Sequence, residues 1–142
     1  NNPSGVIYSE ETIQKLADLL NKKAVEIGHP IFIISDEPYR EIAYDGVEVP
    51  YVTKYYANTI VCYSFSKSLS LPGERIGYVL VPNTANEWKK VYFAVCGAGR
   101  SLGFVCAPSL FQKIVPKCIG KTADISGNAD AHHFAGQSDN NY

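Results

Sequence analysis

The stretch TIVCYSFSK at residues 59–67 indicates both the architecture and the chemistry of this chain. It begins as a continuous run of β-branched, apolar and aromatic residues, which is typical of a strand buried in a sheet. Lys67 follows this run, behind the hydroxyl side chains of Ser64 and Ser66, and Arg75 lies eight residues further on. A lysine amine can form a Schiff base with an aldehyde, and hydroxyl and guanidinium groups can bind a phosphate. The pattern therefore suits a covalently held, phosphorylated aldehyde.

The size and charge of the chain argue against several classes of function. A chain of 142 residues is long enough for one domain with a hydrophobic core. Its net charge of −1 gives no electrostatic reason to expect nucleic acid or a membrane surface as a partner. No apolar run reaches the roughly 18 residues needed to cross a bilayer, and no secretory signal pattern is visible. The four cysteines match no zinc or redox spacing, so we expect buried free thiols in a reducing cytoplasm.

The first helix is predicted from its two ends. Ser9 is a good N-cap, and the two glutamates after it place negative charge at the positive end of a helix dipole. From Ile13 to Ile27, apolar residues then recur at helical spacing. Gly28 can adopt the left-handed conformation that ends a helix, and Pro30 prevents the helix from continuing.

Further apolar runs predict three strands and two more helices. The strands are predicted at residues 31–34, 59–65 and 76–81, where continuous apolar runs indicate strands that are buried on both faces of a parallel sheet. The helices are predicted at residues 83–98, with Asn83 or Thr84 as cap, and from Pro108 to about Val115, where Pro116 stops the helix. Strands that alternate with helices in this way indicate an α/β fold.

Two further motifs precede the lysine segment. They are Asn2-Pro3-Ser4-Gly5 and Asp36-Glu37-Pro38-Tyr39, and a third, Gly73-Glu74-Arg75-Ile76-Gly77, follows it. Over about residues 1 to 120, this order of motifs resembles that of the class I/II aminotransferases, which are pyridoxal 5'-phosphate (PLP) enzymes with the aspartate-aminotransferase fold, also called fold type I. Each motif alone is weak, but their order along the chain is specific.

The resemblance implies a fold and a division of the chain. Residues 1–125 would be part of the large PLP-binding domain, in which helices flank a mostly parallel sheet. Residues 126–142 are polar and rich in Gly, Asn and Asp, so we expect a tail in loop or disordered conformation. Its two adjacent histidines, His132 and His133, lack a third ligand at a suitable spacing, and we expect them to be solvated.

Chemistry and resemblance together predict the site residues. Asp36 follows a predicted strand at the edge where open α/β sheets bind ligands, and a carboxylate there can keep the pyridine nitrogen of PLP protonated. A right-handed crossover brings the loop of Ser64 and Lys67 beside it. By resemblance, Asn2 and Tyr39 contact the ring hydroxyl of PLP.

Three residues are predicted to hold the phosphate, namely Ser64, Ser66 and Arg75. Lys67 is predicted to be the Schiff-base lysine, and after its release to move a proton between the substrate α-carbon and the cofactor. Non-functional alternatives stay open: Asp36 could be a helix or loop cap, and Lys67 could be a solvated surface lysine. No role is assigned to Arg100.

Three functions are compatible with these residues. The leading hypothesis is an aminotransferase that moves an amino group between an amino acid and a 2-oxo acid, as a cytoplasmic homodimer. The first alternative is a PLP-dependent C–S β-lyase of the same fold, and the second is a non-catalytic truncated scaffold. The family's glycine-rich phosphate loop, ring-stacking aromatic residue and C-terminal substrate-binding arginine have no counterpart in these residues. We therefore expect a fragment that is inactive alone, and its amino donor and acceptor are not indicated.

Overall fold

The computed structural model describes residues 1–119, and these form an α/β arrangement around a small sheet. The strands are β1 (Ile33–Asp36), β2 (Thr59–Ser64) and β3 (Gly77–Leu80). The helices are α1 (Glu10–Ile27), α2 (Phe65–Ser68), α3 (Trp88–Ser101) and α4 (Ser109–Cys118). Two 3-10 turns lie at Arg40–Ile42 and Val52–Lys54. The α/β class predicted from the sequence is confirmed.

Helix α1 has both of the ends that the sequence predicts. The Ser9 hydroxyl accepts a 3.2 Å hydrogen bond from the Thr12 N–H, a cap that stabilises a helix by about 1 kcal/mol. At the other end, Gly28 has φ of 78° and donates its N–H to the Ala24 carbonyl at 3.0 Å. Ile13 is among the buried residues of the helix.

The three strands are hydrogen-bonded in the order β1-β2-β3. Strands β1 and β2 run parallel, with Asp36 opposite Cys62, and β2 and β3 run antiparallel, with Ser64 opposite Gly77. All three predicted strands are confirmed, but their bounds differ. The first extends to Asp36, and the second ends at Ser64 because the next residue begins α2.

The expectation that the strands are buried on both faces is wrong for the described residues. Ile34 in β1 is 70% exposed, and every residue of β3 is exposed. The small core lies instead where α2, β3 and α4 meet, around Phe65, Ile76 and Val115. The described helices therefore leave much of the sheet uncovered.

The cysteines, like the sheet, are incompletely covered by the described elements. All four are free thiols, as predicted, but Cys96 and Cys106 are exposed, and Cys62 and Cys118 are half-buried rather than buried. The prediction of buried thiols is therefore wrong, because few described elements pack against these positions.

Helix α3 begins later than predicted. Neither Asn83 nor Thr84 caps it, because the Asn86 N–H donates a 2.7 Å hydrogen bond to the Asn58 side chain and the chain turns there. The helix starts at Trp88, after Glu87 with φ of 48°.

Helix α4 continues past the residue that was predicted to stop it. Pro108 stands at the N-cap, and Pro116 lies inside the helix, which ends at Cys118. The helical pattern continues because the Ile119 N–H still donates to the Val115 carbonyl, at 3.2 Å. No helix among residues 1–119 is both long and apolar enough to span a membrane. The predicted tail at 126–142, with His132 and His133, and the last residues of the predicted 1–125 domain lie outside the described residues.

Candidate active site

Asp36 ends β1 and faces the same side of the sheet as Cys62 of β2. The two residues are direct partners in the parallel register, and the Glu37 N–H donates to the Cys62 carbonyl at 2.9 Å. Burial raises the pKa of the Cys62 thiol, and the negative charge of Asp36 raises it further. Asp36 itself is exposed. Its carboxylate is therefore accessible at the carboxyl end of a strand, where the sequence predicts a ligand.

Asn2 and Tyr39 meet in space although they lie far apart in the sequence. The Asn2 side-chain amide donates a 3.0 Å hydrogen bond to the Tyr39 hydroxyl. Asn2 belongs to an N-terminal turn in which the Gly5 N–H donates to the Asn1 carbonyl at 2.6 Å. Since the Tyr39 oxygen accepts from the amide, its own proton is available to another acceptor. The structure thus brings together the two residues that were predicted to contact one ligand atom.

Lys67 lies in the single helical turn α2, directly after β2. Ser64 caps this turn: its hydroxyl accepts from the Ser66 N–H at 3.2 Å and lies 2.8 Å from the Ser66 hydroxyl. The Lys67 Nζ atom lies 5.6 Å from the centroid of the Tyr39 ring, within the range of a cation–π interaction. The amine, the phenol and the two hydroxyls therefore occupy neighbouring positions at the same end of the sheet.

Arg75 is close to this group along the sheet but has a different partner. Its guanidinium donates to the Pro72 carbonyl at 3.1 Å, and its backbone has φ of 52°. Gly77, two residues later, lies opposite Ser64 in the β2–β3 register. The exposed Arg75 side chain therefore lies near the end of β2, and its contact with a phosphate stays a prediction.

A cleft of about 1000 Å³ adjoins these residues. Asn2, Asp36 and Tyr39 line it together with apolar residues of α1, including Ile13 and Leu16. Three of the seven predicted site residues thus share one cleft. Lys67 adjoins it through the Tyr39 ring.

An ion pair beside Tyr39 was missed in the sequence. Glu37 and Arg40 form a 3.2 Å salt bridge, with side chains only 13% and 12% exposed. Their three-residue spacing was visible, but the other partners of Arg40 are backbone carbonyls of Val49 and Pro50. Residue types reveal nothing about such acceptors, so no role for this pair was predicted.

The chain is similar to known aminotransferases in sequence and in fold. The family model described as "Aminotransferase class I and II" matches residues 1–137. A probable N-acetyl-LL-diaminopimelate aminotransferase of Bacillus subtilis is 35% identical over 114 residues, covering 80% of this chain and 25% of that protein. An aspartate aminotransferase of Pyrococcus horikoshii is 33% identical over 99 residues, covering 68% of this chain and 24% of that protein.

Among solved structures, an amino transferase from Eubacterium rectale is similar to this chain with a TM-score of 0.81 and 74% identity. That match covers 83% of this chain and 30% of the other. The chain spans about a quarter of the length of the curated relatives named above.

Proposed function

We propose that this chain, which belongs to the aminotransferase class I and II family, is part of an enzyme that moves an amino group between an amino acid and a 2-oxo acid with PLP. The observation that carries the proposal is the meeting of three motifs at Tyr39. Its hydroxyl accepts a hydrogen bond from Asn2, and the amine of Lys67 faces its ring. These residues belong to three separate segments of the sequence, and the fold joins them at one point.

The donor set fits pyridoxal phosphate. Asp36 would hold the pyridine nitrogen, because its carboxylate is exposed at the strand end and can pair with a protonated ring. The Tyr39 hydroxyl has a proton to donate to the ring oxygen. Ser64 and Ser66 present paired hydroxyls for the phosphate, and Arg75 would add its guanidinium.

When bound, the cofactor supplies an aldehyde for amines and a ring that withdraws electrons. The residues of this chain supply the remaining chemistry. The Lys67 amine would be the nucleophile that holds the cofactor, and it would also move the proton of the substrate α-carbon. Asp36 would pair with the ring nitrogen, and Tyr39 would orient the ring.

The substrates are proposed as a class only. The names of the relatives include diaminopimelate, aspartate and aromatic amino-acid aminotransferases, so similarity favours amino-group transfer without selecting a donor. No observation favours the C–S lyase.

We extend the proposal to a cytoplasmic homodimer. Leu102, Phe104 and Val105 are strongly exposed apolar residues, and such a cluster suits contact with a second subunit. The free thiols suit a reducing compartment.

Amino-group transfer by the full-length enzyme tests the proposal. With PLP present, a panel of ¹⁵N-labelled amino acids should pass the label to 2-oxoglutarate. Lys67→Ala should abolish transfer, whereas Lys54→Ala should retain it. Release of pyruvate and ammonia from cystathionine without label transfer would overturn the proposal in favour of the lyase, and the absence of PLP binding would overturn it altogether.

A further inference from the structure

We infer that Arg40 is a positioning residue. It holds the Tyr39 ring against Lys67 and thereby sets the pH at which the bound cofactor changes its protonation state. The inference rests on the proposed function. Arg40 also lines the cleft, but its guanidinium is held by contacts within the protein, so we expect its effect to pass through Tyr39.

The guanidinium of Arg40 is held by three oxygen atoms. Its Nη1 atom donates to the Val49 carbonyl at 2.5 Å, and its Nη2 atom donates to the Pro50 carbonyl at 2.9 Å. The Nη2 atom also donates to the Glu37 carboxylate at 3.2 Å. A planar group with several fixed donors can satisfy these acceptors together, which a lysine ammonium cannot do in the same geometry.

Further contacts fix the surroundings of this guanidinium. It lies 3.8 Å from the centroid of the Tyr51 ring, and the Ser35 hydroxyl donates to the second oxygen of Glu37 at 2.6 Å. Arg40 therefore ties the end of β1 to the loop around residues 49–51. Burial raises the pKa of the Tyr78 phenol and Glu41 raises it further, whereas Arg40 lowers it, so Glu41 and Tyr78 are further titratable groups near this cluster.

Tyr39 lies between the two members of this ion pair in the sequence, so their anchoring fixes its backbone. The Ile42 N–H donates to the Tyr39 carbonyl at 3.1 Å, which starts the 3-10 turn, and this turn packs against α2. Lys67 is in α2, and its amine faces the Tyr39 ring at 5.6 Å. Loss of the Arg40 contacts would release the turn that holds the ring in this place.

The direction of the effect follows from the Tyr39 hydroxyl. Because that oxygen accepts from Asn2, its proton can be donated to the ring oxygen of the cofactor. Donation stabilises the anionic form of that oxygen. If the Tyr39 ring moves away, the visible absorbance of bound PLP should therefore change at a higher pH.

The test measures that pH midpoint in the full-length enzyme. The double variant Arg40→Met/Glu37→Gln removes both charges, so no unpaired carboxylate is left half-buried. We expect it to bind PLP and to raise the midpoint by about 0.5–1 pH unit, as the loss of one hydrogen bond requires. Lys54→Met is the matched control, because the Lys54 amine also faces the Tyr51 ring, at 5.6 Å, whereas the Val49 and Pro50 carbonyls accept from Arg40. It should leave the midpoint unchanged.

A double-mutant cycle separates positioning from a general structural effect. In a Tyr39→Phe background, the Arg40→Met/Glu37→Gln change should shift the midpoint no further. An additive shift in that background, or an unchanged midpoint in the folded double variant, would overturn the inference. If the double variant does not fold, Arg40→Lys takes its place, with the same expected shift and the same overturning results. Wild-type protein that binds no PLP would instead overturn the proposed function.

Discussion

A Cβ atom on Gly77 would lie 2.2 Å from the carbonyl oxygen of Tyr63, closer than side-chain and backbone atoms can approach. This close approach occurs where β3 crosses the end of β2, with Gly77 opposite Ser64. The glycine therefore lets the strand that follows Arg75 pack directly against the strand that carries the predicted phosphate hydroxyls. The obstacle is backbone, which cannot move aside as a flexible side chain would.

Gly77→Ala should accordingly destabilise the protein by about 1–3 kcal/mol or more, since overpacking forces the two strands apart. Urea unfolding of the full-length enzyme, monitored by circular dichroism, measures this. Gly73→Ala is the matched control, because nothing lies within 4 Å of its Cβ position. Equal stability of the two variants would mean that the strands do not approach as closely as described.

Lys67 should be the residue that binds the cofactor covalently. Borohydride reduction of the full-length enzyme with PLP, followed by peptide mapping, should place a pyridoxyl group on Lys67, because Lys67 lies beside Tyr39 and the Ser64 cap. A label on Lys54 or Lys89 instead would show that the assignment is wrong.

Asp36 should control removal of the substrate α-proton. A charge-assisted hydrogen bond is worth roughly 1.5–3 kcal/mol, and each 1.4 kcal/mol is about tenfold in rate. Asp36→Ala should therefore slow α-deuterium exchange by about tenfold to a hundredfold without unfolding the protein. Asp45→Asn is the control, because this exposed loop residue has φ of 59°, which asparagine tolerates. An exchange rate unchanged in Asp36→Ala would remove Asp36 from the site.

Tyr63 should be responsible for part of the loss of stability at high pH. Burial raises the pKa of Tyr63 from 10.0 to about 12, against the opposing hydrogen bond with Ser68. The folded state binds the proton of the Tyr63 phenol more tightly than the unfolded state. The contribution of this proton to the free energy of unfolding is therefore complete below pH 10.0 and is lost as the pH rises toward about 12.

Tyr63→Phe should therefore lose less stability over that interval than the wild type, although it loses the 2.7 Å hydrogen bond to Ser68. The ultraviolet absorbance of ionised tyrosine gives a second measurement, in which the variant lacks a component near pH 12. The exposed Tyr8→Phe is the control. If both variants titrate alike near that pH, Tyr63 is not the shifted group.

The sequence was most informative where local chemistry decides the structure. Ser9 and Gly28 end α1 as predicted, because a cap and a left-handed glycine act on their own neighbours. Lys67 follows a strand closely, because the apolar run before it has the length and composition of one. The family order of the motifs then indicated which strand ends carry the site.

The predictions from sequence were wrong where residues far apart in the chain determine the local structure. The start of α3 moved because the Asn58 side chain, 28 residues away, accepts from Asn86. The role of Arg40 depends on two backbone carbonyls in a loop, and these acceptors cannot be predicted from residue types. Burial of Ile34 was expected from the apolar run in which it lies. Burial depends on what packs against the strand, however, and the described helices leave Ile34 exposed.

That exposure leads to the last prediction, which concerns the 142-residue chain by itself. Strands β1 and β3 are the two edges of the described sheet, and exposed apolar residues such as Ile34 and Leu80 lie on them. Unpaired edges with apolar faces favour pairing with another chain, so the isolated chain should self-associate in size-exclusion chromatography. Leu80→Lys should reduce this association because a charge on an edge strand opposes pairing, whereas Val25→Lys, at an exposed position of α1, should not.

The isolated chain should also bind PLP weakly and slowly, with no turnover in a coupled glutamate/2-oxoglutarate assay. The described residues offer Lys67, Asp36 and Arg75 for the cofactor, and Arg75 has to leave its bond to the Pro72 carbonyl in order to reach a phosphate. Exposed groups such as Asp36 and Lys67 gain less from each contact than groups shielded from water. A clean monomer with steady turnover would show that these 142 residues contain everything that the reaction needs.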